Sequence, residues 1–113
     1  MSSVATPTVR EQVLELVALV EKGAIMDAFE RFYAEGVVMQ ENTKEPTVGK
    51  AANREREQNF VNYVKDVHEN RAAAVAIDGD TVFIAWNFEF TGVDGTRLRY
   101  VQVAQQEWKD GLI

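Results

Sequence analysis

Cysteine is absent from the 113-residue chain, and histidine occurs once, at His68. The first absence removes disulfides, thiol catalysis and thiolate metal sites. The second removes any zinc site built from several histidines of one chain, and a triad with an imidazole base would have to use His68. No residue pattern implies a metal or a cofactor. No apolar run approaches the roughly 18 residues of a membrane span. The opening Met1-Ser2-Ser3-Val4-Ala5-Thr6-Pro7 lacks the basic start and apolar stretch of a secretory signal. Asn-x-Ser/Thr is missing as well, so the chain reads as cytoplasmic, with no membrane partner. Basic residues are outnumbered, 12 Lys and Arg against 18 Asp and Glu, for a net charge of −6. Nucleic-acid binding needs a basic footprint that displaces counterions, so no nucleic-acid partner is expected.

What is present is ordinary for a globular domain: 46% hydrophobic and 27% charged residues, without repeats or low-complexity tracts. The length suits one domain, taken as residues 8–113 behind a flexible tail over 1–7. Thr8 and Glu11 form a capping box ahead of Val13, Leu16, Val17 and Val20 at helical spacing. That helix should stop near Lys22, with Gly23 in the left-handed cap position. Ile25, Ala28, Phe29 and Phe32 predict a second helix, closed by Gly36. The segment from Val37 to Asn42 reads as a strand with Val37, Met39 and Glu41 on one face. Residues 43–48 read as a loop around Pro46, and a third helix runs from Gly49 to about Val64.

The rest predicts a β-meander. One strand covers Val67 to Ile77, with His68, Asn70, Ala72, Ala74 and Ala76 grouped by alternation, and Asp78-Gly79-Asp80 makes a hairpin turn. The next, Thr81 to Thr91, sets Val82, Ile84, Trp86, Phe88 and Phe90 on one face and Phe83, Ala85, Asn87 and Glu89 on the other. A strand from Thr96 to Trp108 follows the turn at Gly92–Gly95. Asp110-Gly111 then signals one more hairpin whose return strand, opening with Leu112 and Ile113, is not completed. The expectation is a last strand cut short, or a partner chain over the open edge.

The order helix, helix, strand, helix, meander, together with Phe32-Tyr33-Ala34-Glu35-Gly36-Val37-Val38 before a Pro-containing loop and a glycine-led helix, resembles the nuclear transport factor 2-like superfamily in its SnoaL-like branch. The family segment reads roughly FYADDVV, and Glu107-Trp108-Lys109-Asp110-Gly111-Leu112-Ile113 is similar to its FRDGKI turn. The resemblance covers the chain from about Thr8 onward. It implies an α+β fold: a curved, mostly antiparallel sheet wrapped by three helices from the N-terminal half, forming a cone with an apolar pocket. It also implies a homodimer packed through the outer sheet faces. Members include ketosteroid isomerases, polyketide cyclases, epoxide hydrolases, dehydratases and non-catalytic scaffold proteins, so the fold leaves the activity open.

In the isomerase-like branch the general base ends the first strand, and Glu41 matches that position. A carboxylate held in an apolar pocket is harder to ionise, which suits proton abstraction beside a carbonyl near neutral pH. The alternative is a solvated strand-end carboxylate. The isomerases' two oxyanion donors are not matched: Leu16 and Ala104 stand there, and neither can donate a hydrogen bond. Ketosteroid isomerase chemistry is therefore not expected, and the cyclases' late-strand aspartate also has no counterpart.

Met39, Phe60, Tyr63, Trp86, Tyr100, Gln102 and Gln106 are the candidate ligand contacts. Aromatic walls with a few amides can orient a polar group in an apolar pocket; the same residues could equally be packed core and satisfied amides. His68 reads as a partly exposed strand-end imidazole. Gly49-Lys50-Ala51 lacks the remaining residues of a phosphate loop, and the alternating charges Arg54 to Glu57 read as a solvated helix face. Val101, Val103 and Gln105 share the outer face with Phe83 and Ala85, a half-apolar surface that suits a homodimer. The leading expectation is a domain binding a hydrophobic small molecule, with isomerisation, cyclisation or dehydration as its chemistry if it is an enzyme. The alternative is a non-catalytic dimeric binding or assembly module with a filled pocket.

Overall fold

The computed structural model describes residues 7–113. All of the expected tail but Pro7 lies outside them. Helix α1 spans Val9–Glu21, and its N-cap Thr8 accepts a hydrogen bond from the Glu11 backbone N–H at 3.1 Å. Its other end is a Schellman motif: Gly23, at φ +87°, donates to the Val20 carbonyl and Ala24 to that of Leu19. Helix α2, Ile25–Phe32, buries Ala28, Phe29 and Phe32. It stops before Gly36 because residues 32–34 pair with Ile113 instead. The Ile113 N–H donates to the Phe32 carbonyl at 2.7 Å, and Ala34 N–H donates to the Ile113 carbonyl at 2.9 Å.

The expected strand from Val37 to Asn42 shrinks to β1, Val38–Met39, paired antiparallel with β2, Thr47–Val48, inside the expected loop. The chain doubles back because Asn42 adopts φ +50° and Lys44 N–H donates to the Glu41 carbonyl at 2.9 Å. Helix α3 spans Lys50–Tyr63. Its N-cap, Gly49, sits at φ +93°, where a side chain would strain the backbone.

Three long strands complete the chain: β3, Val64–Asp78, β4, Thr81–Gly92, and β5, Arg97–Glu107, in the antiparallel order β3-β4-β5. Strand β4 alternates as expected, with Val82, Ile84, Trp86 and Phe90 buried. Strand β5 also has the expected register, placing Tyr100, Gln102, Ala104 and Gln106 opposite Phe88, Trp86, Ile84 and Val82. Strand β3 departs from alternation. Register shifts at Val64/Asp66, Val67/Glu69 and Ala72/Ala74 re-aim its side chains and bend the sheet. Asn70, Ala72, Val75 and Ile77 oppose the inner residues of β4, whereas Ala74 and Ala76 oppose Ala85 and Phe83 on the outer side.

The core joins α1, α2 and the inner sheet face through Val13, Leu16, Val17, Phe32, Ile84, Trp86 and Trp108. Burying each such side chain contributes about 1.5–3 kcal/mol. Asp110 and Gly111, at φ +52° and +80°, make the tight turn that brings Leu112 back to Lys109. Among the described residues, no helix is long and apolar enough to cross a membrane. The architecture is α+β, three helices against a curved antiparallel sheet.

Candidate functional site

The three helices do not close over the whole inner sheet face, and a cleft of about 960 Å³ remains between them and strands β4 and β5. Its floor is aromatic because β4 sends every second side chain inward. Trp86, only 5% exposed, stacks on Phe88 with ring centroids 5.5 Å apart. Tyr100 on β5 meets Phe88 edge-on at 6.2 Å and Phe90 at 5.8 Å; Phe90 in turn meets Phe60 of α3 at 5.3 Å. Such edge-to-face contacts hold each ring in one orientation.

Met39, Glu41, Phe60, Trp86, Tyr100, Gln102 and Gln106 all line this cleft. Tyr63 lies elsewhere. One turn past Phe60, its ring crosses the backbone of Gly92 and its hydroxyl donates to Asp94 at 2.8 Å. Gln106 is buried, and its Oε1 accepts a hydrogen bond from the Trp108 indole N–H at 3.1 Å. Gln102 and Tyr100 are exposed at the open side.

Glu41 stands at the rim rather than in an apolar enclosure. Its side chain is 51% exposed and lies 3.7 Å from both Lys44 Nζ and Arg56 Nη2. Arg56 is steadied by Asn53, the one fully buried polar side chain of α3. Asn53 Nδ2 donates to the carbonyls of Thr47 at 2.9 Å and Gly49 at 2.8 Å, which pins the β1–β2 hairpin, and with it Glu41, to the helix.

The expected solvated face over Arg54–Glu57 is split. Arg54 turns outward to a two-oxygen contact with Glu30, whereas Arg56 and Glu57 face the cleft. Spacing carries the signal that the charge pattern hid: Asn53, Glu57 and Phe60 are four and three residues apart and share one helix face. Burial raises the Glu57 carboxyl above the usual glutamate range; Arg56 opposes the rise and Glu41 adds to it. Tyr33, which follows α2 and stacks on Phe29 at 4.8 Å, also lines the cleft. Burial, and then the charge of Glu57, push its phenol well above the ordinary tyrosine value. The cleft therefore combines an ion-paired rim carboxylate, a recessed carboxyl with a bias toward its neutral form, and a phenol that stays protonated.

His68 takes no part. It is exposed, with Nε2 at 2.8 Å from Thr91 Oγ1 on the outer side. Lys50, of the Gly49-Lys50-Ala51 segment, donates from Nζ to the Glu30 carbonyl at 2.9 Å, a cation at the end of α2.

Among solved structures, the chain is similar to a protein from Mesorhizobium loti described as a SnoaL-like polyketide cyclase. The identity is 22% and the TM-score 0.79, over 94% of this chain and 93% of that one. An epoxide hydrolase from M. tuberculosis, at 13% identity and TM-score 0.71, is matched over 89% of this chain and 73% of its own. A protein with a ketosteroid isomerase-like fold from Catenulispora acidiphila, solved with trimethylamine, aligns at 13% identity and TM-score 0.72, over 93% of this chain and 81% of that one. At such identities the likeness is one of fold. A search of curated proteins returned no match. The family model for the SnoaL-like domain matches residues 13–113, nearly the whole of the described fold, and the chain belongs to that family.

Proposed function

We propose that this SnoaL-like domain binds a hydrophobic, cyclic small molecule in the cleft. The observation that carries the reading is the cleft itself: an open space of about 960 Å³ floored by Trp86, Phe88 and Tyr100, with charged and amide groups such as Glu41, Arg56, Glu57 and Gln102 around that floor. Ligand sites of small-molecule-binding proteins fall in this size range. A filled cone would have favoured the assembly-module reading, and the space left open counts against it. Where the domain is catalytic, Glu41 is the acid–base residue, on an isomerisation, cyclisation or dehydration. Its place at the rim, beside Arg56, supports contact with a bound molecule.

The protein acts as a homodimer in this reading. The outer sheet face leaves Val101 70% and Val103 66% exposed beside Phe83, an apolar surface that a second copy would cover.

Native mass spectrometry of the purified protein tests both parts. The expected species is a dimer carrying extra small-molecule mass, or one that takes up added hydrophobic ligands at one per chain. A dimer that takes up no such ligand refutes the binding reading, and a monomer refutes the interface. For any substrate found, Glu41→Gln must lower turnover; an undiminished rate removes Glu41 from the chemistry.

A further inference from the structure

The two edges of the β3-β4-β5 sheet are built differently. Strand β3 has three register shifts against β4, and Lys65, Asp66, Glu69 and Arg71 crowd its first half. Bulges and charges of that kind keep an edge from pairing with another chain. Strand β5 lacks them over most of its length. Its register against β4 is unbroken from Arg97 to Glu107, and the run from Val101 to Gln106 holds no charge and no proline. Among the described residues β5 pairs with β4 alone, so the N–H and C=O of every second residue point to a side without a ladder partner.

A groove of about 460 Å³ lies along that side. Gln105, Gln106 and Glu107 form one wall, Ala34, Val37 and Val38 the other, and no residue of β4 lines it. Ile113 lines it too, held like a rung of a ladder: its N–H donates to the Phe32 carbonyl at 2.7 Å, and its carbonyl accepts from Ala34 at 2.9 Å. The antiparallel bridge between Lys109 and Leu112 turns this backbone to run against the direction of β5. The groove thus already seats extended chain at one position. We propose that it is a strand-addition site, which binds an extended segment of a partner protein antiparallel to β5 through the free main-chain groups of Val101–Glu107. Main-chain bonds would supply the affinity and alternate side chains the selectivity.

The side chains of β5 define the segment. Arg99 stands near the start of the strand and Glu107 at its end, so an antiparallel segment fits with a basic residue first and an acidic residue last. Val101 and Val103 are exposed on the outer face, where β-branched residues at alternate positions would pair with them across the ladder. The added strand lies beside β5 in the plane of the sheet, so the outer face stays open to a second copy. It would also wall the side of the cleft on which Tyr100 and Gln102 are exposed.

The test uses a synthetic probe, Lys-Thr-Val-Thr-Val-Thr-Val-Thr-Glu. In antiparallel register its lysine meets Glu107, its valines meet Gln105, Val103 and Val101, and its glutamate meets Arg99. Hydrogen exchange followed by NMR reads the whole protein with and without the probe. In the free protein, every second amide from Val101 to Glu107 should exchange quickly, and probe bound at one per chain should slow those amides about tenfold. Two further probes carry N-methyl groups on alternate amides, in the two possible sets, only one of which faces β5. That set should weaken binding by about tenfold or more, because several ladder bonds are lost together, while the other set still binds. No binding at millimolar probe, or equal binding of both methylated probes, overturns the site. Protection of every β5 amide in the free protein also overturns it, since the edge is then already covered by a second copy or by another part of this chain.

Discussion

Replacing Asn53 by alanine should cost far more than its place among the charges of α3 suggests. The side chain is fully buried, and Nδ2 makes two good hydrogen bonds, to Thr47 at 2.9 Å and Gly49 at 2.8 Å, with a third contact at the 3.5 Å limit to Val37. At about 1 kcal/mol net for each of the two good bonds, and less than that for the long third contact, the loss comes to about 2–3 kcal/mol. For a domain of this size that is a fall in Tm of about 8–12 °C. Urea unfolding followed by far-ultraviolet circular dichroism measures it directly. Aspartate sharpens the test. It would present only acceptors to carbonyl oxygens, which raises its folded-state pKa above the unfolded value of about 3.9. The folded state then holds the proton more tightly, so stability falls as pH rises from the unfolded pKa through the folded one. Asn53→Asp should therefore be least damaging in acid. A loss below about 1 kcal/mol for the alanine variant, which is within the worth of one bond, would refute the account of how the β1–β2 hairpin is held.

Three other outcomes are expected. Gly92→Ala would drive a Cβ into the ring and hydroxyl of Tyr63, so the ring must leave Asp94; a loss of about 1–3 kcal/mol in denaturant unfolding is expected, and no loss would contradict the packing. Charging the outer sheet face with Val101→Glu and Val103→Lys in separate variants should give folded monomers in analytical ultracentrifugation, and dimers that survive both would place the interface elsewhere. The raised Glu57 carboxyl means that the folded state binds its proton more tightly than the unfolded chain. Its contribution to stability is thus greatest below the unfolded pKa and declines as pH rises through the folded one, and Glu57→Gln should flatten that slope in unfolding curves.

Much of this fold can be read from local rules because those rules agree with the tertiary packing. Thr8 and Glu11 cap α1, Gly23 ends it, and the alternation of Val82 to Phe90 identifies the inner face of β4 because no bulge interrupts the strand. Alternation failed in β3 for the opposite reason: three register shifts leave Ala72 and Ala74 on different faces, and nothing in a run of alanines marks where a bulge falls. The end of α2 depended on Ile113, some eighty residues away in the chain, whose backbone takes the hydrogen bonds that would have extended the helix. Such long-range competition is invisible to propensity.

The site divides in the same way. The aromatic floor follows from strand alternation, so Trp86 and Tyr100 were legible. Glu41 was legible as a cleft residue, but its exposure and its pairing with Lys44 and Arg56 depend on the turn at Asn42. Glu57 was hidden by composition. Within Arg54-Glu55-Arg56-Glu57 it looks like one more solvated charge, and only its spacing from Asn53 and Phe60 turns it inward. Tyr33 marks the family segment in the sequence, and it reaches the cleft because α2 stops at Phe32, an end that depends on the distant Ile113.

The central claim is that the inner cleft, and not the outer sheet face, is where a small molecule binds. Nuclear magnetic resonance shift mapping with a neutral aromatic ketone tests it most directly. The account predicts that the Trp86 indole, the Gln102 side-chain amide and the backbone around Glu57 move together and saturate at one ligand per chain. Shifts confined to the outer face around Phe83 and Val103, with the Trp86 indole unmoved, would contradict it.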